Sequence, residues 1–283
     1  MYLLFDIGGT NTRVAISSDG KILNQKISFL TPESFDEIVT RMKELAIDKI
    51  TGVAGGIAAP LNRQKIKLQN HSNLPAAWID LPPKQILEDT FHAPVFLEND
   101  AAIVGLGEAV VGAGKGKRGV VYITVSTGVG GAYIINGEIV ESAHGFEPGH
   151  QIIDFKTTEP ICPGCQRPGH LEAYVAGPAI EKRYGKKPEH ITDEKIWDEV
   201  ARILAVGLNN TIMHWSCDVV VLGGSVMKSL PIEKVQRHLD SLMTIFPEKP
   251  VLALRTLESV GGLYGALVLL NKKLTNTGLQ NQE

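Results

Sequence analysis

Residues 2–17, YLLFDIGGTNTRVAIS, contain two strand-like runs separated by a glycine-rich turn. Residues 2–7 are a short apolar run typical of a buried strand, residues 12–17 are a second strand-like run, and GGTN at 8–11 is a turn between them. Asp6 stands inside the first run, where an unpartnered carboxylate is costly to bury. Glycines let a backbone approach phosphate, so the turn predicts a phosphate site beside Asp6. An ordinary hairpin with an exposed Asp6 is the alternative for this motif alone.

Two further glycine-rich turns follow apolar strands. Residues 119–135 repeat the opening theme, with the turn Thr127-Gly128-Val129-Gly130-Gly131 between two strands. Gly223-Gly224 follow a buried strand predicted at 218–222, and ligands of α/β sheets bind beyond such strand ends. Asp19-Gly20 and Asn136-Gly137 each predict a tight hairpin. The chain therefore contains two strand–turn–strand units, which indicates an internal duplication.

Two other nucleotide-binding motifs do not fit these turns. A P-loop requires Gly-x₄-Gly-Lys-Ser/Thr, and GAGKGK at 112–117 lacks that spacing. A dinucleotide fingerprint requires a helix directly after its glycines, whereas residues 12–17 are strand-like.

Composition excludes several classes of protein. The net charge of −3 over 283 residues lacks the basic footprint of a nucleic-acid binder. No apolar stretch reaches the roughly 20 residues that span a bilayer, and no signal peptide is apparent, so we expect a cytoplasmic protein without membrane association. The length favours two domains over one. Three cysteines do not form a disulfide framework.

Helical periodicity alternates with the strands. Residues 33–49 carry apolar side chains at Phe35, Ile38, Met42 and Leu45, which predicts an amphipathic helix. Further helices are predicted after a strand at 94–98, at about 193–215 and from about 262 onward. Strands that alternate with helices predict an α/β fold, and the hairpin units argue against a purely parallel sheet.

Glu98-Asn99-Asp100 precedes the helix predicted at 101–111. Asn99 or Asp100 is a typical N-cap residue. Asp100 is also a candidate general base that accepts a proton from a substrate hydroxyl, because phosphoryl transfer depends mostly on positioning. Both interpretations can hold together.

Residues 147–172 contain a candidate metal centre. Four N/S ligands suit tetrahedral zinc, and His150, Cys162, Cys165 and His170 supply that set. The alternative is two unrelated thiols and two surface histidines. Cys217 is predicted to be a core thiol.

With these motifs together, the chain resembles the ROK family (repressor, open reading frame, kinase) over nearly its whole length. DIGGTNTR and STGVGG resemble the two phosphate motifs of the family, VVLGGS its adenosine-side glycines, LENDA its Asn-Asp pair and GFEPGH its Glu-x-Gly-His signature. The resemblance implies two actin-like (RNase H-like) α/β domains with mixed sheets around an interdomain cleft. We expect the first domain to span 1–110 plus the C-terminal helix at about 262–283, and the second to span 111–261.

The resemblance also implies roles for individual residues. Asp100 is the catalytic base. The residues expected to bind ATP are Asp6, Gly8, Gly9, Thr10, Asn11, Thr12, Thr127, Gly128, Gly130, Gly131, Gly223 and Gly224. The residues expected to contact sugar are Asn99, Asp100, Glu147, His150 and Glu172.

The resemblance further implies a glucokinase-like, ATP-dependent hexose kinase that uses Mg²⁺ and a structural Zn²⁺. Glucose is the first choice of substrate, with its 6-OH as the phosphate acceptor. The expected assembly is a homodimer. N-acetylhexosamine (GlcNAc or ManNAc) and fructose kinases are alternatives. A non-catalytic sugar-sensing ROK module is an alternative of another class. Because the first phosphate strand begins at residue 2, we expect no DNA-binding helix-turn-helix before it. An actin-like structural ATPase does not explain the sugar signature or the zinc loop.

Two departures from the family pattern bear on these expectations. CPGCQRPGHLE at 162–172 places its first two cysteines one residue further apart than usual, and His170 stands where the third cysteine is common. Leu61 stands where the family often has glycine, which we expect to narrow the sugar pocket.

Overall fold

The computed structural model describes residues 1–59, 74–143 and 145–276, so the prediction for Leu61 lies outside the described residues. The chain divides into two units. Unit 1 comprises Met1–Gly112, Glu141–Gly145 and Leu257–Glu283. Unit 2 comprises Ala113–Val140 and Phe146–Thr256.

Each unit is built on one mixed sheet flanked by helices. The strands are β1 (Tyr2–Ile7), β2 (Asn11–Ser17), β3 (Gln25–Leu30), β4 (Gly52–Ile57), β5 (Val95–Asn99), β6 (Gly119–Val125), β7 (Val129–Ile135), β8 (Glu138–Ile139), β9 (Val219–Gly223) and β10 (Val251–Leu254). The helices are α1 (Phe35–Leu45), α2 (Pro83–Phe91), α3 (Asp100–Val110), α4 (Glu172–Val175), α5 (Gly177–Tyr184), α6 (Glu194–Trp215), α7 (Ile232–Leu242) and α8 (Gly261–Asn276).

The two sheets have the same strand order and directions. In unit 1 the order is β3-β2-β1-β4-β5, and in unit 2 it is β8-β7-β6-β9-β10. In each, two antiparallel pairings connect the first three strands and two parallel pairings connect the rest. The α/β class with mixed sheets is therefore confirmed, and the shared topology agrees with the duplication inferred from the two glycine-rich units.

The helix predicted at 33–49 is confirmed as the shorter α1. Its four predicted apolar residues are buried against the sheet of unit 1. Ser34 fixes the start, because its side chain accepts a hydrogen bond from the Asp36 N–H at 3.2 Å and so satisfies one of the free helix donors. Such capping explains why the helix begins two residues later than its periodic pattern.

One predicted tight hairpin is confirmed and the other is wrong. Asn136 and Gly137 join β7 to β8 with φ of 53° and 71°, as a two-residue turn requires. The strands around Asp19-Gly20 instead end at Ser17 and resume at Gln25. The Asp19 carboxylate accepts hydrogen bonds from the N–H groups of Lys21 and Ile22. These bonds stabilise a loop that is longer than a two-residue turn.

Helices α3 and α8 pack closely in unit 1. A Cβ on Gly265 would lie 1.8 Å from the Ile103 carbonyl oxygen, and one on Gly107 would lie 2.2 Å from that of Gly261. No side chain larger than hydrogen fits between the two backbones at these points. The crossing therefore holds α3, and with it Asp100 at the start of α3, against a rigid partner.

Glu108 is a carboxylate buried within the otherwise apolar α3. It is 0% exposed. One oxygen accepts a hydrogen bond from the Leu257 N–H at 2.9 Å, and a Cβ on Gly112 would lie 2.1 Å from the other oxygen. Glu108 thus ties the end of α3 to the segment that leads into α8.

Replacing Glu108 with leucine is expected to destabilise the protein by about 1–3 kcal/mol, because the partly buried Leu257 N–H would lose its acceptor. Urea denaturation followed by circular dichroism measures the change. Glu108→Gln is the matched control, since its side-chain carbonyl can still accept, and it should lose less. A Glu108→Leu protein as stable as wild type would contradict this role.

No helix among the described residues is long and apolar enough to cross a membrane.

Candidate functional site

Several predicted site residues of unit 1 lie at one edge of its sheet. Strands β1, β4 and β5 are mutually parallel neighbours, so their carboxyl ends meet there. β1 ends at the turn that contains Gly8, Gly9 and Thr10, and β5 ends at Asn99, next to Asp100. The topology therefore brings the first phosphate turn and the proposed base to the same edge.

Asp6 lies near the end of β1 and is 7% exposed. Arg13, its cross-strand partner on β2, places a guanidinium nitrogen 3.4 Å from the carboxylate. A Cβ on Gly262, in the first turn of α8, would lie 2.6 Å from the Asp6 carboxyl carbon. The ion pair offsets part of the cost of burying Asp6. Carboxylate oxygen is also the ligand type that Mg²⁺ prefers, so Asp6 suits the cofactor predicted for it.

Asn99 is the N-cap of α3. Its side-chain oxygen accepts hydrogen bonds from the N–H groups of Ala101 at 2.9 Å and Ala102 at 3.3 Å. Its amide group donates to the Ala59 carbonyl at 3.3 Å, which connects the ends of β4 and β5. The capping interpretation of the sequence is thus correct for Asn99, and the same contacts fix the position of the next residue.

Asp100 is the first residue of α3, and one of its carboxylate oxygens accepts a hydrogen bond from the Ala101 N–H at 2.8 Å. Burial raises the pKa of its carboxyl above the ordinary value of 3.8, because the charged form is poorly solvated. Hydrogen bonds from Ala101, its own backbone and Asn99 oppose that shift. A carboxylate with a raised pKa is a stronger base than an ordinary aspartate.

The second phosphate turn, in unit 2, is shorter than predicted. The turn comprises Ser126–Gly128 and includes Thr127, and the Ser126 N–H donates to the Gly128 carbonyl at 2.8 Å. Gly130 and Gly131 are not part of it but belong to β7, where they pair with β6. These two glycines adopt strand rather than turn conformation because β6 offers both of them backbone pairing partners.

The third glycine-rich turn contacts the second. Gly223 ends β9, and Gly224 follows with φ of +96°, in the region that favours glycine. A Cβ on Gly224 would lie 2.1 Å from the Val125 carbonyl oxygen, so glycine also permits the close approach. The hydroxyls of Ser126 and Ser225 are 3.0 Å apart. The structure thus places two of the predicted nucleotide turns together within unit 2.

The four predicted metal ligands converge in unit 2. The ligand atoms of His150, Cys162, Cys165 and His170 all lie within 4.8 Å of one another. Cys162 Sγ is 3.6 Å from His150 Nδ1, and Cys165 Sγ is 3.1 Å from His170 Nδ1. A tetrahedral zinc site has neighbouring sulfur and nitrogen ligands about 3.5 Å apart, given metal distances of about 2.3 and 2.0 Å. The arrangement therefore fits zinc.

The ionisation of two of these groups bears on metal binding. Burial, together with the neighbouring Glu172, raises the pKa of the Cys162 thiol to about 12. Burial, with the nearby His150, lowers the pKa of His170, although Glu172 opposes this. A neutral imidazole is the form that binds a metal, whereas the thiol must lose its proton when a metal binds.

Glu172, at the start of α4, lies between this cluster and the second phosphate turn. It is 7% exposed. One oxygen accepts a hydrogen bond from the Val129 N–H at 2.9 Å, and the other lies 3.3 Å from Cys162 Sγ. Glu147 directly precedes the short 3₁₀ turn Pro148–His150, which positions His150. Glu147, His150 and Glu172 thus lie in the same local structure as the four candidate metal ligands.

Sequence reasoning missed two residues that support these turns. Ser225 follows Gly224 in the quoted glycine motif, but its contact with Ser126 arises from segments 99 residues apart. Thr31 contacts the first phosphate turn from the end of β3, a strand that is not among those predicted from the sequence. The available signal was a polar residue close after a strand: Thr31 directly follows β3, and Ser225 is the second residue after β9.

Comparisons with known proteins agree with this arrangement. The model of the ROK family matches residues 2–273. A fructokinase of Lactococcus lactis subsp. cremoris is 27% identical over 88% of this chain and 87% of its own length. The crystal structure of a ROK hexokinase from Thermus thermophilus superposes with a TM-score of 0.84 at 29% identity, and covers 97% of this chain and 99% of that chain.

A regulator is also similar to part of the chain. A xylose repressor of Bacillus spizizenii is 30% identical over 60% of this chain, and the match spans 46% of the repressor's length. The matched region is thus found both in sugar kinases and in sugar-responsive regulators.

Proposed function

The chain belongs to the ROK family, and from this membership we propose that it is an ATP-dependent hexose kinase. The observation that carries the proposal is the sheet edge of unit 1, where Asp6 lies near the carboxyl end of β1, and the turn after β1 and Asp100 follow the carboxyl ends of parallel strands. The reaction transfers the γ-phosphate of ATP to a sugar hydroxyl, with the 6-OH of glucose as first choice.

In this proposal Asp100 accepts the proton of the attacking hydroxyl. Its backbone is fixed by the Asn99 cap and by the packing of α3 on α8. Fixed placement is the main catalytic contribution that a protein makes to phosphoryl transfer. Asp100 therefore needs little intrinsic basicity, although its raised pKa assists the step.

The ATP phosphates would contact the turn at Gly8–Thr12 and the segment Thr127–Gly131, with Gly223 and Gly224 on the adenosine side. Asp6 would hold Mg²⁺ through water. When bound there, Mg²⁺ would supply positive charge against the triphosphate. Backbone N–H groups of the turns supply the remaining donors for phosphate oxygens.

Sugar hydroxyls would contact Asn99, Asp100, Glu147, His150 and Glu172. Each carboxylate oxygen accepts more than one hydrogen bond, so Glu172 can retain its Val129 contact while it accepts from a hydroxyl. Acceptors held at fixed positions select among hexoses, because an analogue that leaves a buried polar group unpaired binds less well.

His150, Cys162, Cys165 and His170 would bind one structural Zn²⁺. The ion would orient the His150 ring, whose Nδ1 lies 3.6 Å from Cys162 Sγ, and Nε2 would then contact the sugar. Cys162 Sγ lies 3.3 Å from a Glu172 oxygen, so the metal-bound sulfur would lie beside a proposed sugar ligand. We also propose that the enzyme acts as a homodimer in the cytoplasm, where ATP is available.

The pH dependence should reveal the proposed base. Asp100 acts only when deprotonated, and its pKa is raised, so activity should be lost as the pH falls through a value above 3.8. The acid limb of kcat/KM against pH reports this pKa in the free enzyme. An acid limb at or below 3.8, in a pH range where the protein stays folded, would argue against Asp100 as the base.

The deciding experiment is sugar-dependent ADP release with Mg·ATP over a panel of glucose, mannose, fructose, N-acetylglucosamine and N-acetylmannosamine. Stimulation by one sugar supports the kinase and identifies its substrate. If no sugar stimulates ADP release although ATP binds, the kinase proposal fails, and the second candidate function, a non-catalytic sugar sensor, takes its place. The similarity to the xylose repressor favours that candidate as the alternative.

A further inference from the structure

The first phosphate turn is exposed at its tip and is held from one side. Gly9 and Thr10 are exposed, while Thr12 at the start of β2 is fully buried. Within the turn, the Gly8 N–H donates to the Asn11 carbonyl at 3.0 Å. Glycine-rich backbone at an exposed tip has wide conformational freedom, so its shape depends on what holds its carbonyl groups.

Thr31 contacts this turn at three points. It follows β3, whose last residue, Leu30, pairs with Asn11 on β2, so the sheet register delivers Thr31 beside the turn. Its N–H donates to the Thr10 carbonyl at 2.9 Å, and its hydroxyl donates to the Gly8 carbonyl at 2.6 Å. Its hydroxyl oxygen also lies 3.0 Å from that of Thr12.

The hydrogen positions in this network follow from a count of donors. A hydroxyl has one proton and two acceptor sites. The Gly8 carbonyl can only accept, so the Thr31 proton is used there, and Thr12 must therefore donate to Thr31. Thr12 thus orients Thr31, and the proton of the Thr12 hydroxyl is used in that contact.

The bond to Gly8 also sets the direction of a potential phosphate donor. In a trans peptide unit the C=O and the following N–H point in opposite directions. Because Thr31 holds the Gly8 carbonyl, the Gly9 N–H is directed away from Thr31, on the other side of the turn. Gly9 is exposed, so a phosphate oxygen can reach that N–H.

We propose that Thr31 is a positioning residue for nucleotide phosphate, which acts through the carbonyls of Gly8 and Thr10 and does not touch the nucleotide itself. The inference rests on the proposed kinase function and assigns a role to a residue outside the turn. Loss of the hydroxyl should let the Gly8–Gly9 peptide rotate and should weaken phosphate binding specifically.

The test compares three variants in the full chain by calorimetric titration with Mg·AMPPNP. Thr31→Val removes the hydroxyl and is expected to raise the Kd about 5–10-fold, the equivalent of one hydrogen bond. Thr31→Ser retains the hydroxyl and should restore wild-type affinity. Thr40→Val is the matched control, because the Thr40 hydroxyl donates to the backbone carbonyl of Asp36 on the exposed side of α1 in the same unit.

Steady-state kinetics supply a readout that general destabilisation would not reproduce. Thr31→Val should raise the KM for Mg·ATP by a similar factor while the KM for sugar stays within twofold of wild type. Equal affinity of Thr31→Val and wild type for Mg·AMPPNP, or equal increases in both KM values, would overturn the inference.

Two further outcomes remain distinguishable. A wild-type protein that binds no Mg·AMPPNP refutes the nucleotide function itself. If wild type and Thr31→Val both bind Mg·AMPPNP with the same affinity, only the role of Thr31 is refuted. If Thr31→Val does not fold, Thr12→Val removes the donor to Thr31 but leaves the bond to Gly8. It should then raise the Kd about 2–3-fold, a partial loss of one hydrogen bond, and an unchanged Kd would overturn the proposal.

Discussion

Asp100→Asn should lower kcat by about 10²–10⁴-fold, the usual contribution of a general base. The amide has nearly the same shape and can still accept from the Ala101 N–H, but it cannot take a proton from a sugar hydroxyl. The affinity for Mg·AMPPNP and for sugar should stay close to that of wild type. Initial rates of ADP release under saturating substrates measure the change.

Asp36→Asn is the matched control for this variant. Asp36 also lies in the first turn of a helix of unit 1, so the control removes the same charge near a helix N-terminus without touching the sheet edge. Its kcat should remain within twofold of wild type. An Asp100→Asn enzyme that retains more than a tenth of the wild-type kcat would show that Asp100 is not the base.

Cys162→Ala should remove bound zinc and destabilise unit 2. Wild-type protein purified without chelators is expected to carry about one zinc per chain, because the four ligands already converge. Structural zinc contributes about 10–16 kcal/mol of binding free energy in zinc-finger peptides. A loss of only about 3 kcal/mol would lower the melting temperature by roughly 5 °C for a chain of this size.

Two variants separate zinc binding from the loss of a buried thiol. Cys217→Ala also removes a buried cysteine of unit 2, at a place remote in sequence from the cluster, and should keep its zinc. His170→Cys offers the ligand that is usual in the family and should keep its zinc as well. Metal analysis and melting curves of all four proteins test the site. Wild-type protein that lacks zinc and is not stabilised by added zinc would contradict it.

Loss of zinc should also reach the proposed substrate site. Cys162 Sγ lies 3.3 Å from one oxygen of Glu172, whose other oxygen holds the Val129 N–H beside the second phosphate turn. A displaced Cys162 would therefore disturb both a proposed sugar ligand and a proposed nucleotide segment.

Much of the fold follows from local sequence. The strands around GGTN at 8–11, the helix α1 and the tight turn at Asn136-Gly137 are specified by periodicity and by glycine, which act within a few residues. The four candidate metal ligands were also recognisable, because histidine and cysteine in one short segment have few other uses in combination.

Other features depend on partners that are distant in sequence. Asp19-Gly20 has the residues of a tight hairpin, but the Asn271 side chain, 251 positions away, donates a hydrogen bond to the Gly20 carbonyl at 2.7 Å, and the next strand begins only at Gln25. Gly130 and Gly131 have the residues of a turn, but β6 holds them in a strand. Local preferences are small beside the hydrogen bonds that a sheet offers, so the neighbouring strand decides.

The residue pattern was enough to predict the α/β class, the glycine-rich turns, the Asn99 cap beside Asp100 and the four candidate metal ligands. The contacts that support these features are visible only in the folded chain: Thr31 with the first phosphate turn, Glu108 with Leu257, and Glu172 with Val129 and Cys162. Each of these contacts joins residues between 10 and 149 positions apart. A single side chain carries no local signal of such a partner, since the partner is chosen by the register of strands and the packing of helices.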